Sequence, residues 1–371
     1  MSFCDYLRSR VCVTIGLSES RNIFIQGMKT SKIHLIVGLV SILLWVAGDA
    51  KAQSESKPDA FAQNQRLGRG VNILGYDPIW WSQEQGRFKA EYFQKLKDVG
   101  FNSVRINLHA FRQMDATNSW AIKPSWFELL DWAVNGVQAQ GLAVILDLHE
   151  FTPMGNDPSG NKEKFLAFWR QMAAHYQNAP ATVFFELLNE PFDKLTPKLW
   201  NEYFGEALGI IRKTNPTRTV IVGPGQWNQI DRLAELKLPE SDRNLIVTVH
   251  FYEPFAFTHQ GASWTDRKDK LGFDWKGSPE EVAALNRAFD KADAWSKANK
   301  RPLFLGEFGA YDRGPMDSRV RWTAAVARAA EARGWSWAYW QFDSDFILYD
   351  VKREAWVEPI LNALIPKSPT R

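Results

Sequence analysis

Two short stretches of this 371-residue chain put single carboxylates where they can do chemistry. Residues 184–191 read Phe-Phe-Glu-Leu-Leu-Asn-Glu-Pro, an apolar run that stops at Asn189, Glu190 and Pro191. Pro191 has no N–H to give to a ladder, so pairing ends there and Glu190 sits at a strand mouth beside an amide side chain. Residues 303–309 read Leu-Phe-Leu-Gly-Glu-Phe-Gly, a second buried strand that ends in Glu307. Alone, either stretch reads as a turn that happens to hold a carboxylate. Brought face to face, the two can divide acid/base and nucleophilic work on an acetal. A Ser–His–Asp triad is not supported, because the chain lacks a Gly-x-Ser-x-Gly turn. His149 and His250 have no His-x-x-x-His or cysteine partner, so no metal and no cofactor is expected.

Two glutamates on strand ends need a fold that gathers strand ends. The apolar patterning predicts strands over 71–74, 103–107, 143–148, 183–188, 219–222, 245–249, 303–305 and 336–340. Helical patterns fall over 87–99, 125–140, 162–176, 198–214, 279–298, 317–333 and near 357–364, with Gly100, Gly141 and Gly334 as stops. Eight strands with helical connections imply an α/β fold, a single-domain (β/α)8 TIM barrel. The alternative is an open doubly wound sheet. It usually carries a Gly-rich phosphate turn after its first strand, and Gly75-Tyr76-Asp77-Pro78 is not one.

A barrel brings every strand C-terminus to one face. That rim would hold Asn72, Tyr76, Trp80 and Trp81, then Arg105, Asn107 and His109, then Asp147, His149 and Glu150. Asn189, Glu190, Trp227, His250, Tyr252, Glu307 and Trp340 complete the circuit. Polar and aromatic side chains this dense weigh toward function over packing. Asp147 and Glu186 sit deeper on their strands and read as structural. Glu150 divides evenly between substrate and a helix face, and Asn228 and Glu253 are weaker candidates for the cleft. Trp80, Trp81 and Trp227 lie on loops suited to stacking a flat, polar-edged ligand, whereas Trp132 and Trp169 sit on helices and read as packing.

With that ordered set in view, the chain resembles glycoside hydrolase family 5, the cellulase family of clan A. The resemblance rests on Arg105, His149, Asn189-Glu190-Pro191, His250-x-Tyr252, Glu307 in Gly-Glu-Phe-Gly, and Trp340. It implies a retaining mechanism in which Glu307 attacks the anomeric carbon and Glu190 is the acid/base. It also implies that Arg105 and Tyr252 keep Glu307 ionised, Asn189 holds the sugar 2-hydroxyl, His149 and His250 orient groups, and Trp340 floors the ring. The expected substrate is a soluble β-1,4-glucan, poly- or oligosaccharide, cut internally. Alternatives are a β-mannan, mixed-linkage or β-1,3-glucan, exo-action, or a non-catalytic carbohydrate-binding barrel.

The rest of the chain sets boundaries. The apolar run 33–47 follows Lys29 and Lys32 and precedes Ala50-Lys51-Ala52, the layout of a secretory signal cleaved after Ala52. Residues 1–52 therefore read as an extension plus signal, with translation expected to start at Met28. A mobile lead-in is expected over 53–68, a catalytic domain over 69–365 and a tail over 366–371. The product would be secreted or periplasmic and monomeric, and free of the membrane once cleaved. Removing the leader's six Lys/Arg and three Asp/Glu from the totals of 45 and 42 leaves 39 of each. With no net charge and no basic stripe, nucleic acid is a poor partner.

Overall fold

The computed structural model describes residues 59–367. The expected leader, its cleavage point, the 53–58 part of the lead-in and residues 368–371 lie outside them. The apolar runs form eight parallel strands: β1 Arg69–Ile73, β2 Ser103–Leu108, β3 Ala143–Leu148, β4 Val183–Glu186, β5 Val220–Val222, β6 Leu245–His250, β7 Leu303–Glu307 and β8 Ser336–Tyr339. Each pairs with its neighbour in sequence, and β8 returns to β1 with Val71 opposite Tyr339, which closes the barrel. A register shift at Val249/His250 sets His250 beside Glu307. Such a bulge re-aims a strand-end side chain.

The longer helices are α1 Ala60–Leu67, α2 Glu91–Asp98, α3 Pro124–Ala139, α4 Pro158–His175, α5 Pro197–Arg212, α6 Pro279–Asn299, α7 Met316–Glu331 and α8 Glu358–Leu364. Proline opens α3, α4, α5 and α6 in the first turn, where the missing N–H has no partner to lose. Gly141 and Gly334 follow α3 and α7 at φ 66° and 72°, the left-handed stop that the sequence implied. Between β5 and β6 only two short segments intervene, the helical turn Gly225–Asn228 and the 3-10 segment Ile230–Glu235.

Two apolar layers hold the barrel. The larger lies between strands and helices and absorbs Trp169, Trp200, Trp322 and Trp337, all fully buried. The smaller fills the interior with Ala143, Ile145, Phe184, Ile221, Ile246, Phe304 and Ala338. The two-residue period of the strands carries the next inward positions upward: Ile145 leads to Asp147, and Phe184 to Glu186. Apolar filling therefore gives way to polar groups toward the strand C-termini.

The lead-in differs from expectation. Residues 60–67 form α1, which packs Ala60 and Leu67 against the interior cluster. Its Asn64 donates to the Leu303 carbonyl (2.9 Å) and accepts from Ser336 Oγ (2.7 Å). Polarity suggested a loose segment, but Gln63 and Asn64 are polar residues on a buried face. The amide of Asn64 is satisfied by strand edges rather than by water. A cavity of about 150 Å³ near the starts of β4 and β5 is bordered by Arg218. All five Arg218 N–H donors go to carbonyls and Asn215, so it ties α4 to the barrel.

Candidate active site

Arg105, from the middle of β2, joins four strands. It is fully buried, and each of its five N–H donors has an acceptor. Nε and Nη2 hold the two oxygens of Glu186, both at 2.8 Å. Nη1 donates to Glu307 Oε1 at 2.7 Å and to Asn72 Oδ1 at 2.8 Å. Nη2 gives its other hydrogen to Asn189 Oδ1 at 2.9 Å, with Asp147 Oδ2 3.1 Å away. Burial opposes the guanidinium charge, but Asp147, Glu186 and Glu307 outweigh it and keep Arg105 protonated. A planar fork fixes directions as well as charge, so Arg105 sets where Glu307 and Asn189 point.

Glu307 at the end of β7 receives a second donor, Tyr252 Oη on Oε2 at 2.9 Å. Burial pushes its carboxyl up to about 7, while His250 and Arg105 pull it back. Glu190 has neither hydroxyl nor guanidinium in direct contact. Its residue takes φ 42°, a conformation uncommon outside glycine, at the point where β4 leaves the barrel. Burial raises its carboxyl to about 8. Carboxyl oxygens of Glu190 and Glu307 lie within 4.8 Å of each other, with His250 Nδ1 between them at 2.8 Å and 3.6 Å. Burial keeps His250 and His149 neutral. The hydrogen-bond network then assigns a proton to His149 Nδ1, donated to Asp147 Oδ2 at 2.7 Å, and leaves Nε2 facing the Asn189 amide at 3.5 Å. Trp340 stacks on His149 with rings 5.4 Å apart and 9° from parallel, and Tyr76 meets Trp340 edge-on.

A family model, Cellulase (glycosyl hydrolase family 5), matches residues 62–345. The chain belongs to glycosyl hydrolase family 5. Its span contains every strand of the barrel and both glutamates. Among family relatives, Endoglucanase H of Acetivibrio thermocellus is 30% identical over 84% of this chain, which spans only 34% of that protein's length. Thermotoga maritima Cel5A, solved with cellobiose, is 42% identical, with a TM-score of 0.80 over 83% of this chain and 100% of its own. The same enzyme has been solved with mannotriose. Cellulose synthase subunit Z of Clostridioides difficile is 38% identical, with a TM-score of 0.76 over 81% of this chain and 99% of its own.

Against this family 5 frame, the fold brings together Arg105, His149, Asn189, Glu190, His250, Tyr252, Glu307 and Trp340. Trp80 is different. It is 3% exposed, its Nε1 donates to the Leu74 carbonyl, and it stacks on Trp126. It belongs to the core beneath its loop, because Asp77 caps the following 3-10 turn and folds the indole inward. Trp227 remains open, 39% exposed and stacked on Phe192 at 4.0 Å. Glu150 is turned from the cleft to accept from the Phe111 N–H at 2.7 Å. Glu253 is likewise spent on its own loop, accepting from the Phe255 N–H. Asn228 is fully buried and faces His250 Nε2 at 3.3 Å, so it supports the histidine. Glu186, which reads from the sequence as structural, holds the site from beneath as Arg105's bidentate partner. The signal was a charged residue two positions from Phe184 on a buried strand, which needs a cation.

Proposed function

We propose that the protein is a retaining glycoside hydrolase that cuts β-1,4-glucosidic bonds within soluble glucan chains by double displacement. The observation that carries this reading is the spacing of the two carboxyls. An oxygen of each within 4.8 Å of the other fits the close pair of a retaining enzyme, at about 5–5.5 Å, better than the about 6.5–9.5 Å by which an inverting enzyme makes room for water. Their surroundings favour one division of labour. Glu307, with Arg105 and Tyr252 donating to it, is the group suited to remain ionised and attack the anomeric carbon. Glu190, higher in pKa and free of a cationic hydrogen bond, is suited to protonate the leaving oxygen. It then takes the proton from the water that releases the glycosyl group. Asn189, its amide steered by Arg105 and His149, is poised to donate to the sugar 2-hydroxyl. Trp340, braced by His149, offers an apolar face for the ring.

Substrate choice is tested by reducing-sugar release from soluble substituted cellulose, with galactomannan and laminarin in parallel. NMR should find the β-anomer formed first. Galactomannan preference would move the substrate and keep the chemistry, an outcome in line with the mannotriose complex of Cel5A. An α-anomer as first product would refute the double displacement. The likeness to a cellulose synthase subunit favours a second reading, in which the glucan is one the same cell makes. Both readings take the protein to be exported through the leader expected over 1–52, and the N-terminus of the secreted protein would establish the cleavage point.

A further inference from the structure

We propose that Glu190, His250 and Glu307 also form a binding site for one divalent ion of the zinc or copper class, which would block the cleft. The three donor atoms all lie within 4.8 Å of one another, with His250 Nδ1 2.8 Å from Glu190 Oε1 and 3.6 Å from Glu307 Oε2. Ligands about 2.0–2.2 Å from a zinc ion stand about 3–4 Å apart, so a small carboxylate rotation completes the set. Two oxygens and one imidazole nitrogen suit zinc or copper better than calcium or magnesium, which want oxygen alone. The sequence expectation of no metal weighed His149 and His250 as a pair. The fold instead sets His250 between two glutamates.

Two further observations favour a cation here. Asp147, Glu186 and Glu307 share a single guanidinium and Glu190 stands against His250 without one, so the pocket has more carboxylates than positive charge to meet them. A dication displacing protons would balance that excess. His250 must also present a bare Nδ1 to a metal, which puts its proton on Nε2. Asn228 Oδ1 is buried without a hydrogen-bond partner, and its amide already faces Nε2. Rotation of that amide supplies the acceptor that metal-bound imidazoles ordinarily have. Glu190, with its side chain 15% exposed, leaves the ion an entry from the cleft. An ion so held ties up both the nucleophile and the acid, so it inhibits and takes no part in hydrolysis.

The site follows from geometry, so a wrong substrate assignment leaves it standing, and a calorimetric readout keeps the two apart. The surface pair His175–Asp131 is a competing zinc ligand set, removed by His175→Ala. In that background, zinc titrated by calorimetry should bind one per chain. X-ray absorption should find one imidazole nitrogen with carboxylate oxygens at about 2.0–2.2 Å. Adding Glu307→Gln or His250→Asn should weaken binding on the order of tenfold or more, with circular dichroism confirming the fold. Undiminished affinity in a folded Glu307→Gln protein overturns the proposal. So does a zinc shell without imidazole in the His175→Ala protein, a measurement that needs no active-site variant to fold.

Discussion

Replacing Arg105 separates charge from direction. Arg105→Met removes the cation and all five donors. Arg105→Lys keeps the cation but offers only three donors from a point charge, too few for Glu186, Glu307, Asn189 and Asn72 together. At the 2.7 Å contact with Glu307, charge centres about 4 Å apart interact by about 4 kcal/mol at an effective dielectric of about 20, or roughly three pKa units. Relaxation and entering water reduce this, so the acid limb of kcat/KM should rise by about one to three units in Arg105→Met. In Arg105→Lys it should stay within about half a unit while kcat falls on the order of 10–100-fold through misplacement. Both variants unfold earlier in urea, Arg105→Met by about 3–5 kcal/mol, because Glu186 and Asp147 are left buried without a cation. Protonating those carboxyls relieves the loss, so the deficit should grow as pH rises. An Arg105→Met protein with an unmoved acid limb and a wild-type urea midpoint would refute this account of the site.

Glu307→Gln should lose turnover by several orders of magnitude while the fold and oligosaccharide binding persist, as read by single-turnover kinetics and calorimetry. The pH profile of kcat/KM should rise as Glu307 ionises, near about 7, and fall as Glu190 deprotonates, near about 8. Stability carries a matching signature. The folded pKa of Glu190 lies above its ordinary 4.5, so its contribution is complete below pH 4.5 and is lost as pH rises toward about 8. Urea midpoints measured across that window should fall less steeply in Glu190→Gln; an equal slope would argue against a raised Glu190. Trp80→Ala should lower stability by about 3–5 kcal/mol and leave the KM of the folded protein nearly unchanged. Trp227→Ala should do the reverse, raising KM several-fold with stability within about 1 kcal/mol; swapped results would return Trp80 to the cleft.

The barrel and its polar rim were legible because both are written in short-range pattern. Apolar runs that end in Asn189-Glu190-Pro191 or in Glu307 tell where strands leave the core, and eight such ends leave few topologies. What the pattern could not convey was the direction of side chains on loops. Trp80 and Trp227 look alike in sequence, but one is pinned inward by the Asp77 cap and the other stands on Phe192. Glu150 follows His149 directly and was drawn off by a backbone N–H from a neighbouring loop. Glu186 was visible as a buried charge, but pairing across β2 and β4 depends on a barrel interior that only the folded chain defines. The same limit hid α1, whose buried Asn64 is satisfied by strands more than two hundred positions away.

That last contact has a consequence for the order of assembly. Asn64 grips Leu303 and Ser336 across 239 and 272 residues of chain, so the floor of the barrel is laid by an early segment on the latest strands. Contacts of such long range carry a large loop-closure entropy and form late. Until β7 and β8 arrive, the interior cluster has neither its last walls nor its plug. A chain shortened to begin at β1 would keep both glutamates and every strand, yet leave Phe304 and Ala338 open to water from below.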